Sequence, residues 1–241
     1  MVGWRKIGFD PAILAWAAAA HPLAVAALAG QERRAGGTWA VGLDLLGNDA
    51  AGGVAGVALP WGMLGLDPVA LHRAQLSAVY PGYPLSDPGE PAQANRYRLT
   101  RDAAHLDGLL AEGPDKRRRI AEPHGWILGL PLTDCRASPL VVWEGSAPIM
   151  QAGLRAALAG HPVARWGEVN VTGAYQAARA AVFASCRRVE VPVVRGEATL
   201  LHRLCVHGVA PWTDGADGPA EGRIIAYFRP QMASVAAWLG E

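Results

Sequence analysis

Gly196-Glu197-Ala198-Thr199-Leu200-Leu201-His202-Arg203-Leu204-Cys205-Val206-His207-Gly208 is the stretch that decides the class of this chain. After a polar gap it is followed by Arg223-Ile224-Ile225-Ala226-Tyr227-Phe228. Both runs are rich in β-branched or apolar residues and bounded by turn signals, so both read as strands. The first run is expected to end at His207-Gly208, with Pro211 closing it. His202 and His207 lie five apart, an odd separation. On one regular strand they would face opposite sides of the sheet, so they cannot both point at one metal ion.

Working outward, the C-terminal half is a series of short strands. Arg96 to Thr100, Gly125 to Leu132, Pro139 to Trp143 and Arg188 to Val193 read as further strands. Ala147 to Ala159 and Thr172 to Arg187 read as helices. Earlier in the chain, Asp67 to Val79 is expected to be a helix capped by Asp67-Pro68, and Thr38 to Leu45 a strand. Pro81 to Pro91 (PGYPLSDPGEP) is a turn-rich loop suited to a flexible rim. Strands do not alternate with crossover helices, which disfavours a Rossmann-like sheet. The pattern predicts a mainly β fold with flanking helices, an antiparallel sandwich or jelly roll. No shift in composition marks a boundary. Residues 1–241 therefore read as one domain, with 1–95 a helical and loop N-terminal part and 96–229 the core.

Composition sets the outer bounds. Hydrophobic residues make up 51% of the 241 and charged residues 18%, which excludes a disordered chain. The net charge is +1, so no global field draws nucleic acid or an anionic membrane, and neither is expected as a partner. Cys135, Cys186 and Cys205 form no CxxC and suit a reducing, cytoplasmic setting. Pro11 to Ala29 is nearly all apolar and follows two positive charges, in imitation of a signal peptide. Asp10 precedes the run and His21-Pro22 breaks its middle, so it reads better as two short Ala-rich helical pieces. Asp10 is the expected N-cap, with Pro11 at the first helical position.

The chain contains no GxxxxGK[ST], no GxGxxG after a strand, no GxSxG and no HExxH. It does contain His105-Leu106-Asp107. In an extended segment these two side chains project to one side and can grip one ion. Seven His and eleven Asp give about a 0.3 expectation of one such HxD by chance, so the pattern carries weight only in company. His207, remote in sequence, could complete two histidines and one carboxylate, a facial triad that leaves positions open on Fe(II). Gly208 after His207 lets the backbone turn sharply beside a bulky complex. His202 sits between Leu201 and Arg203, where a packing or supporting role is more natural. Arg223 opens the last strand with a guanidinium fork suited to a carboxylate. Lys116-Arg117-Arg118-Arg119 is read as a solvated loop; its functional counterpart would be contact with a phosphate-bearing carrier.

In order, these pieces resemble the phytanoyl-CoA dioxygenase family of Fe(II)/2-oxoglutarate oxygenases. The residues that carry the resemblance are His105-Leu106-Asp107, Ile127 to Leu132, Pro139 to Ser146, Gly196-Glu197 leading to His207-Gly208, and Arg223 to Tyr227. The resemblance covers about Arg96 to Phe228 and implies a double-stranded β-helix (jelly roll, cupin-like). It implies that His105, Asp107 and His207 hold Fe(II). It also implies that Arg223 pairs the far carboxylate of 2-oxoglutarate, with Arg229 and Arg203 the nearest alternatives. O₂ and a small-molecule or acyl substrate would be the other partners, and the carboxylate of Asp107 implies hydroxylation of an aliphatic C–H. Three features depart from the family pattern. Ala147 stands where the family has a histidine after Gly-Ser, Glu197 replaces an Asp, and His207 to Arg223 spans 16 residues. The last points to an inserted loop over Thr213 to Gly222. Two other readings are a jelly-roll protein that binds metal or ligand without turnover, and a cupin-like hydrolase or isomerase. The latter would use Glu197 or His202 as acid or base.

Overall fold

The computed structural model describes residues 3–216 and 218–240. In chain order the elements are β1 (Trp4–Ile7), α1 (Pro11–Leu28), β2 (Arg33–Arg34), β3 (Trp39–Gly42), α2 (Trp61–Leu64), β4 (Gln75–Val79), α3 (Ala92–Arg101), β5 (Ala111–Glu112), β6 (Arg117–Arg118), β7 (Trp126–Pro131) and β8 (Leu140–Glu144). They continue with α4 (Ser146–Leu158), a 3₁₀ turn at Val163–Glu168, α5 (Thr172–Ser185), β9 (Arg187–Val191), β10 (Ala198–His202), β11 (His207–Val209), β12 (Arg223–Phe228) and α6 (Val235–Leu239).

Two antiparallel sheets face each other. The larger runs β1-β10-β7-β12-β4-β3-β2, and the smaller runs β11-β8-β9. His105 adds a bridge to His207 at the free edge of β11. Consecutive strands β10, β11 and β12 switch between the sheets, as a double-stranded β-helix requires. The jelly roll expected from the strand pattern is therefore present.

Alternation along the strands builds the layers. On β12, Ile224, Ala226 and Phe228 face outward onto α1, joined there by Leu76 and Ala78 of β4 and Leu128 and Leu130 of β7. The edge of Trp16 meets the ring of Phe228 at 5.7 Å. Between the sheets, Ile127 and Leu201 meet Leu140, Val142 and Val191. Outside the smaller sheet, α4 and α5 cover Val141 and Trp143. Each large side chain so buried contributes roughly 1.5–3 kcal/mol.

Several local expectations give way to packing. The apolar N-terminal run is one helix, not two: α1 continues through Pro22. A proline inside a helix costs ~3 kcal/mol. Burial of Ile13, Trp16, Ala17, Ala20, Ala24 and Leu28 on one face offsets that cost. The cap is as read, with the Asp10 carboxylate accepting from the Ala12 N–H at 2.7 Å. By length and composition alone α1 could cross a membrane, but this face lies on the large sheet. Asp67 to Val79 is not a helix; its last five residues form β4, in the interior of the large sheet. There Leu76 and Ala78 face one layer and Gln75, Ser77 and Val79 the other, a period of two that the preceding Val69 and Leu71 obscure. Arg96 to Thr100 is not a strand but part of α3, whose residues include no fully buried one. With no apolar face to alternate, helix-forming Ala, Gln and Arg decide the conformation. The large sheet also takes β1, β2 and β4 from the first 95 residues, where helices and loops were expected; β3 lies within the strand expected at Thr38 to Leu45. Of the expected 213–222 insert, Asp217 lies outside the described residues.

The run Ala198 to His207 is two strands. β10 ends at His202, a turn closes with the Cys205 N–H donating to the His202 carbonyl at 2.8 Å, and the chain crosses to the other sheet. His207 thus opens β11 instead of ending a strand.

Candidate metal centre

The segment before His105 is shaped by two consecutive left-handed residues, Asp102 (φ 53°) and Ala103 (φ 52°). They turn the chain out of α3 and lay it along β11. His105 N–H donates to the His207 carbonyl at 2.8 Å, and His207 N–H returns a bond to the His105 carbonyl at 3.1 Å. One step on, the Val209 N–H donates to the Asp102 carbonyl at 2.9 Å. Gly208 makes this approach attainable. A Cβ there would lie 2.0 Å from the Asp102 carbonyl oxygen. The Asp102 carboxylate is buried and takes a two-pronged grip from Arg188 of β9, at 2.8 and 2.7 Å. The turn carrying His105 is thereby tied to β11 by its backbone and to β9 by its side chain.

Extended geometry then puts His105 and Asp107 on one side, as the HxD spacing implied. His105 Nε2 lies 3.2 Å from Asp107 Oδ1, and His207 Nε2 lies 3.7 Å from the same oxygen. Ligand atoms of all three residues lie within 4.8 Å of one another. Six-coordinate bonds of ~2.1 Å would separate neighbouring donors by about 3.0 Å, so the trio is close to the spacing that one ion demands. Each imidazole is oriented from behind. His105 Nδ1 lies 3.0 Å from the Ala103 carbonyl and His207 Nδ1 lies 3.0 Å from the Cys205 carbonyl. A carbonyl only accepts, so Nδ1 carries the proton and Nε2 presents its lone pair to the centre. Arg229 donates to the other Asp107 oxygen, Oδ2, at 3.3 Å.

The charges of Asp107 and His207 agree with the donor roles, whereas His105 is drawn toward its protonated form. Burial pushes the Asp107 carboxyl up, but the His105 hydrogen bond and the charges of His207, His105 and Arg229 outweigh it. The carboxylate is held well below its usual range. Burial, followed by the charge of His105, holds His207 down to about 4, so this imidazole is neutral near pH 7. For His105 burial also pulls down, yet the hydrogen bond and charge of Asp107 raise it on balance. Its side chain is 47% accessible because it faces a deep cavity rather than open surface.

That cavity is about 510 Å³ and reaches from the trio to Trp39 and Val41 of β3 and Leu110. Arg223 lies on the inner face of β12, fully buried. It does not line the cavity itself; Tyr227, on the same face of β12, does. Among the described residues no carboxylate lies within ion-pair distance of Arg223.

The structure does not bring every sequence candidate to the centre. His202 ends β10, and its Nδ1 accepts from the Leu204 N–H at 3.2 Å. Glu197 is paired with Lys6 at 2.8 Å. Neither lines the cavity, so neither is placed to act as the acid or base of a hydrolase. Arg203 bonds the Trp238 carbonyl. Ala147, in the first turn of α4, is buried in the outer core. In the basic run, Arg118 bonds the Leu109 carbonyl and Arg119 pairs with Glu112. Sequence reasoning missed Tyr227, the Asp102–Arg188 pair and the bond from Arg229 to Asp107. Tyr227 alone left a signal, since it lies four residues beyond Arg223 on the same strand face.

No protein-family model matches the sequence, and no curated protein matches it. The chain is similar in structure to SnoK, a non-heme alpha ketoglutarate dependent carbocyclase from nogalamycin biosynthesis. The two share 15% identity with a TM-score of 0.51 over 96% of this chain and 80% of that one. The likeness is one of fold. AviO1 from Streptomyces viridochromogenes Tue57 matches at 16% identity and a TM-score of 0.45, over 96% and 91% of the two chains. HygX from Streptomyces hygroscopicus, solved with nickel, 2-oxoglutarate and hygromycin B, matches at 13% identity and 0.39, over 95% and 83%.

Proposed function

We propose that this chain is an Fe(II)- and 2-oxoglutarate-dependent oxygenase of the phytanoyl-CoA dioxygenase type, hydroxylating an aliphatic C–H of a small molecule. The observation that carries the reading is the convergence of His105 Nε2, Asp107 Oδ1 and His207 Nε2 beside the cavity, with both Nδ1 atoms already engaged. Two imidazole nitrogens and one carboxylate oxygen suit a divalent ion of intermediate softness. The resemblance in sequence and the fold shared with SnoK, itself alpha ketoglutarate dependent, support the same reading.

Iron with 2-oxoglutarate, when bound, supplies an O₂-dependent oxidation of C–H coupled to decarboxylation to succinate. The protein's part is placement. His105 and His207 offer lone pairs fixed by their backbone carbonyl partners, and Arg229 occupies Asp107 Oδ2 so that Oδ1 faces the ion. Arg223, a buried cation with no carboxylate of its own, would take the far carboxylate of the cosubstrate, with Tyr227 beside it at the cavity wall. Leu106, Ile127, Leu140 and Val209 line the cavity and keep bulk water from the oxidised carbon.

The test begins anaerobically. Fe(II) plus 2-oxoglutarate should give a weak visible charge-transfer band, and admission of O₂ with ascorbate should yield succinate slowly even without substrate. His105→Ala should do neither. Succinate no higher than in His105→Ala, with iron demonstrably bound to the wild type, would leave a binding protein without turnover.

A further inference from the structure

The cavity also carries information on what enters it. Its walls combine Trp39, Val41 and Leu43 from β3 and the loop after it with Leu110 from the segment before β5. Leu43 and Leu110 are each more than 60% exposed, so the mouth presents bare leucine to solvent. The charged residues along the walls each pair with another protein group, although the Nε of Arg98 is buried without a hydrogen-bond partner. Arg98 grips Glu90 with two nitrogens, Asp102 is held by Arg188, and Arg229 is bonded to Asp107. Glu122, at the rim, faces His124 at 3.3 Å. Tyr97 spends its hydroxyl on the Ala104 carbonyl at 2.6 Å, and the Trp39 N–H is taken by Ser77 at 3.0 Å. Two lining groups make no hydrogen bond to any described residue: the Gln75 carboxamide and the Tyr83 hydroxyl. Burial pushes Tyr83 up to about 12, so it too stays neutral.

From this inventory we infer that the substrate is an uncharged, predominantly hydrocarbon molecule, free rather than carrier-borne, bearing a neutral carbonyl or hydroxyl oxygen that Gln75 and Tyr83 bind. The inference rests on the oxygenase reading for what happens to that molecule, but binding can be tested apart from it. In the part of the cavity beyond the trio and the cosubstrate, an anionic substrate would meet a single cation, Arg98, already paired with Glu90. Burying it unpaired is strongly unfavourable, whereas a neutral oxygen needs only the two groups left open. A volume of about 510 Å³ lies within the range that encloses a drug-sized molecule. A carrier-borne acyl chain would require a cationic landing for its phosphates. None of Lys116 to Arg119 lines the cavity, and all three arginines are already engaged.

Equilibrium dialysis of the metal-free protein against matched probes decides the matter. The probes are 1-tetralone and progesterone as neutral ketones, 2-naphthoate and lithocholate as carboxylates of like size, and palmitoyl-CoA. At least one ketone should bind tenfold or more tighter than its matched carboxylate and than palmitoyl-CoA. Val41→Glu should lower ketone affinity at least tenfold, and Gln75→Leu severalfold. Fe(II) uptake by each variant serves as the check that the fold is intact. Tighter binding of either carboxylate or of palmitoyl-CoA, no binding of either ketone, or ketone binding indifferent to Val41→Glu would each overturn the inference. Failure to form succinate would instead overturn the oxygenase reading, and it leaves the dialysis result standing.

Discussion

Replacing Gly208 with alanine tests how the centre is held together. Gly208 is not in the left-handed region, so its backbone suits any residue. On conformational grounds alone, Gly→Ala at such a position stabilises by ~0.4–1 kcal/mol through the unfolded chain. The structure argues the reverse. The new methyl would sit 2.0 Å from the Asp102 carbonyl oxygen, 3.0 Å from its carbon and 3.2 Å from the Ala104 nitrogen. All three atoms are backbone, so no side chain can swing away. Overpacking of this kind costs about 1–3 kcal/mol. Displacing the Asp102 carbonyl also loses its bond from the Val209 N–H, worth about 1 kcal/mol. Set against the conformational gain, the net loss is about 1–3.6 kcal/mol, which corresponds to a fall in Tm of roughly 2–14 °C for a chain of this size. Because His105 lies three residues beyond Asp102, the same displacement moves its imidazole away from His207. Fe(II) affinity should drop about 10- to 100-fold, the usual effect of disturbing what supports a ligand. Thermal unfolding followed by circular dichroism and anaerobic Fe(II) titration measure the two effects. A Gly208→Ala protein with wild-type Tm and wild-type iron affinity would refute the reasoning.

Three further outcomes are expected. His207→Ala should abolish stoichiometric Fe(II) binding, whereas His202→Ala should retain it, as read by anaerobic titration with iron analysis; the reverse result would displace His207 from the centre. Arg223→Met should weaken 2-oxoglutarate binding by about 2–4 kcal/mol, or 30- to 1,000-fold, with iron affinity nearly unchanged. Arg229→Met should instead act on iron affinity through Asp107, and calorimetry separates the two cases. Glu197 is held below its usual range: burial raises it, but the Lys6 hydrogen bond, the Val194 N–H and the Lys6 charge outweigh that. A depressed carboxylate contributes stability above its unfolded value of about 4.3 and loses it as pH falls through the folded one. Glu197→Gln should therefore be less stable than wild type by about 1 kcal/mol at pH 7, a figure discounted because Lys6 is one-third exposed. The difference in urea midpoints should shrink below about pH 4. A gap that persists at pH 3 would rule this out.

What could be read from the residues divides along a physical line. Strands with a buried partner on each face announced themselves: β7, β8 and β12 are continuous apolar runs with turn signals at both ends. Gln75 to Val79 did not, because the apolar spacing of the preceding loop runs into it and imitates a helix. α3 had no buried residue to reveal its period, so Tyr97 and Leu99 read as an alternating strand. The break between β10 and β11 was hidden for another reason. Leu204, Cys205 and Val206 are all buried where the chain passes between sheets, so hydrophobicity continues while the strand does not.

The centre was legible where its logic is local. His105 and Asp107 are two apart, and two residues apart on an extended chain is a statement about direction. The groups that hold them are far off in sequence: Asp102 and Arg188 are separated by 86 residues, Asp107 and Arg229 by 122. No periodicity within one chain signals a pair at that distance. Gly208 lies between the two cases. Its position after His207 was readable, but the reason for it was not. A turn beside the metal was the expectation, whereas the backbone there is ordinary strand and the missing Cβ admits the Asp102 carbonyl. His207-Gly208 therefore joins two segments of the trio: the imidazole faces Asp107, and the glycine lets the segment carrying His105 close to hydrogen-bonding distance. That is why the glycine, which touches no metal, is expected to govern metal affinity.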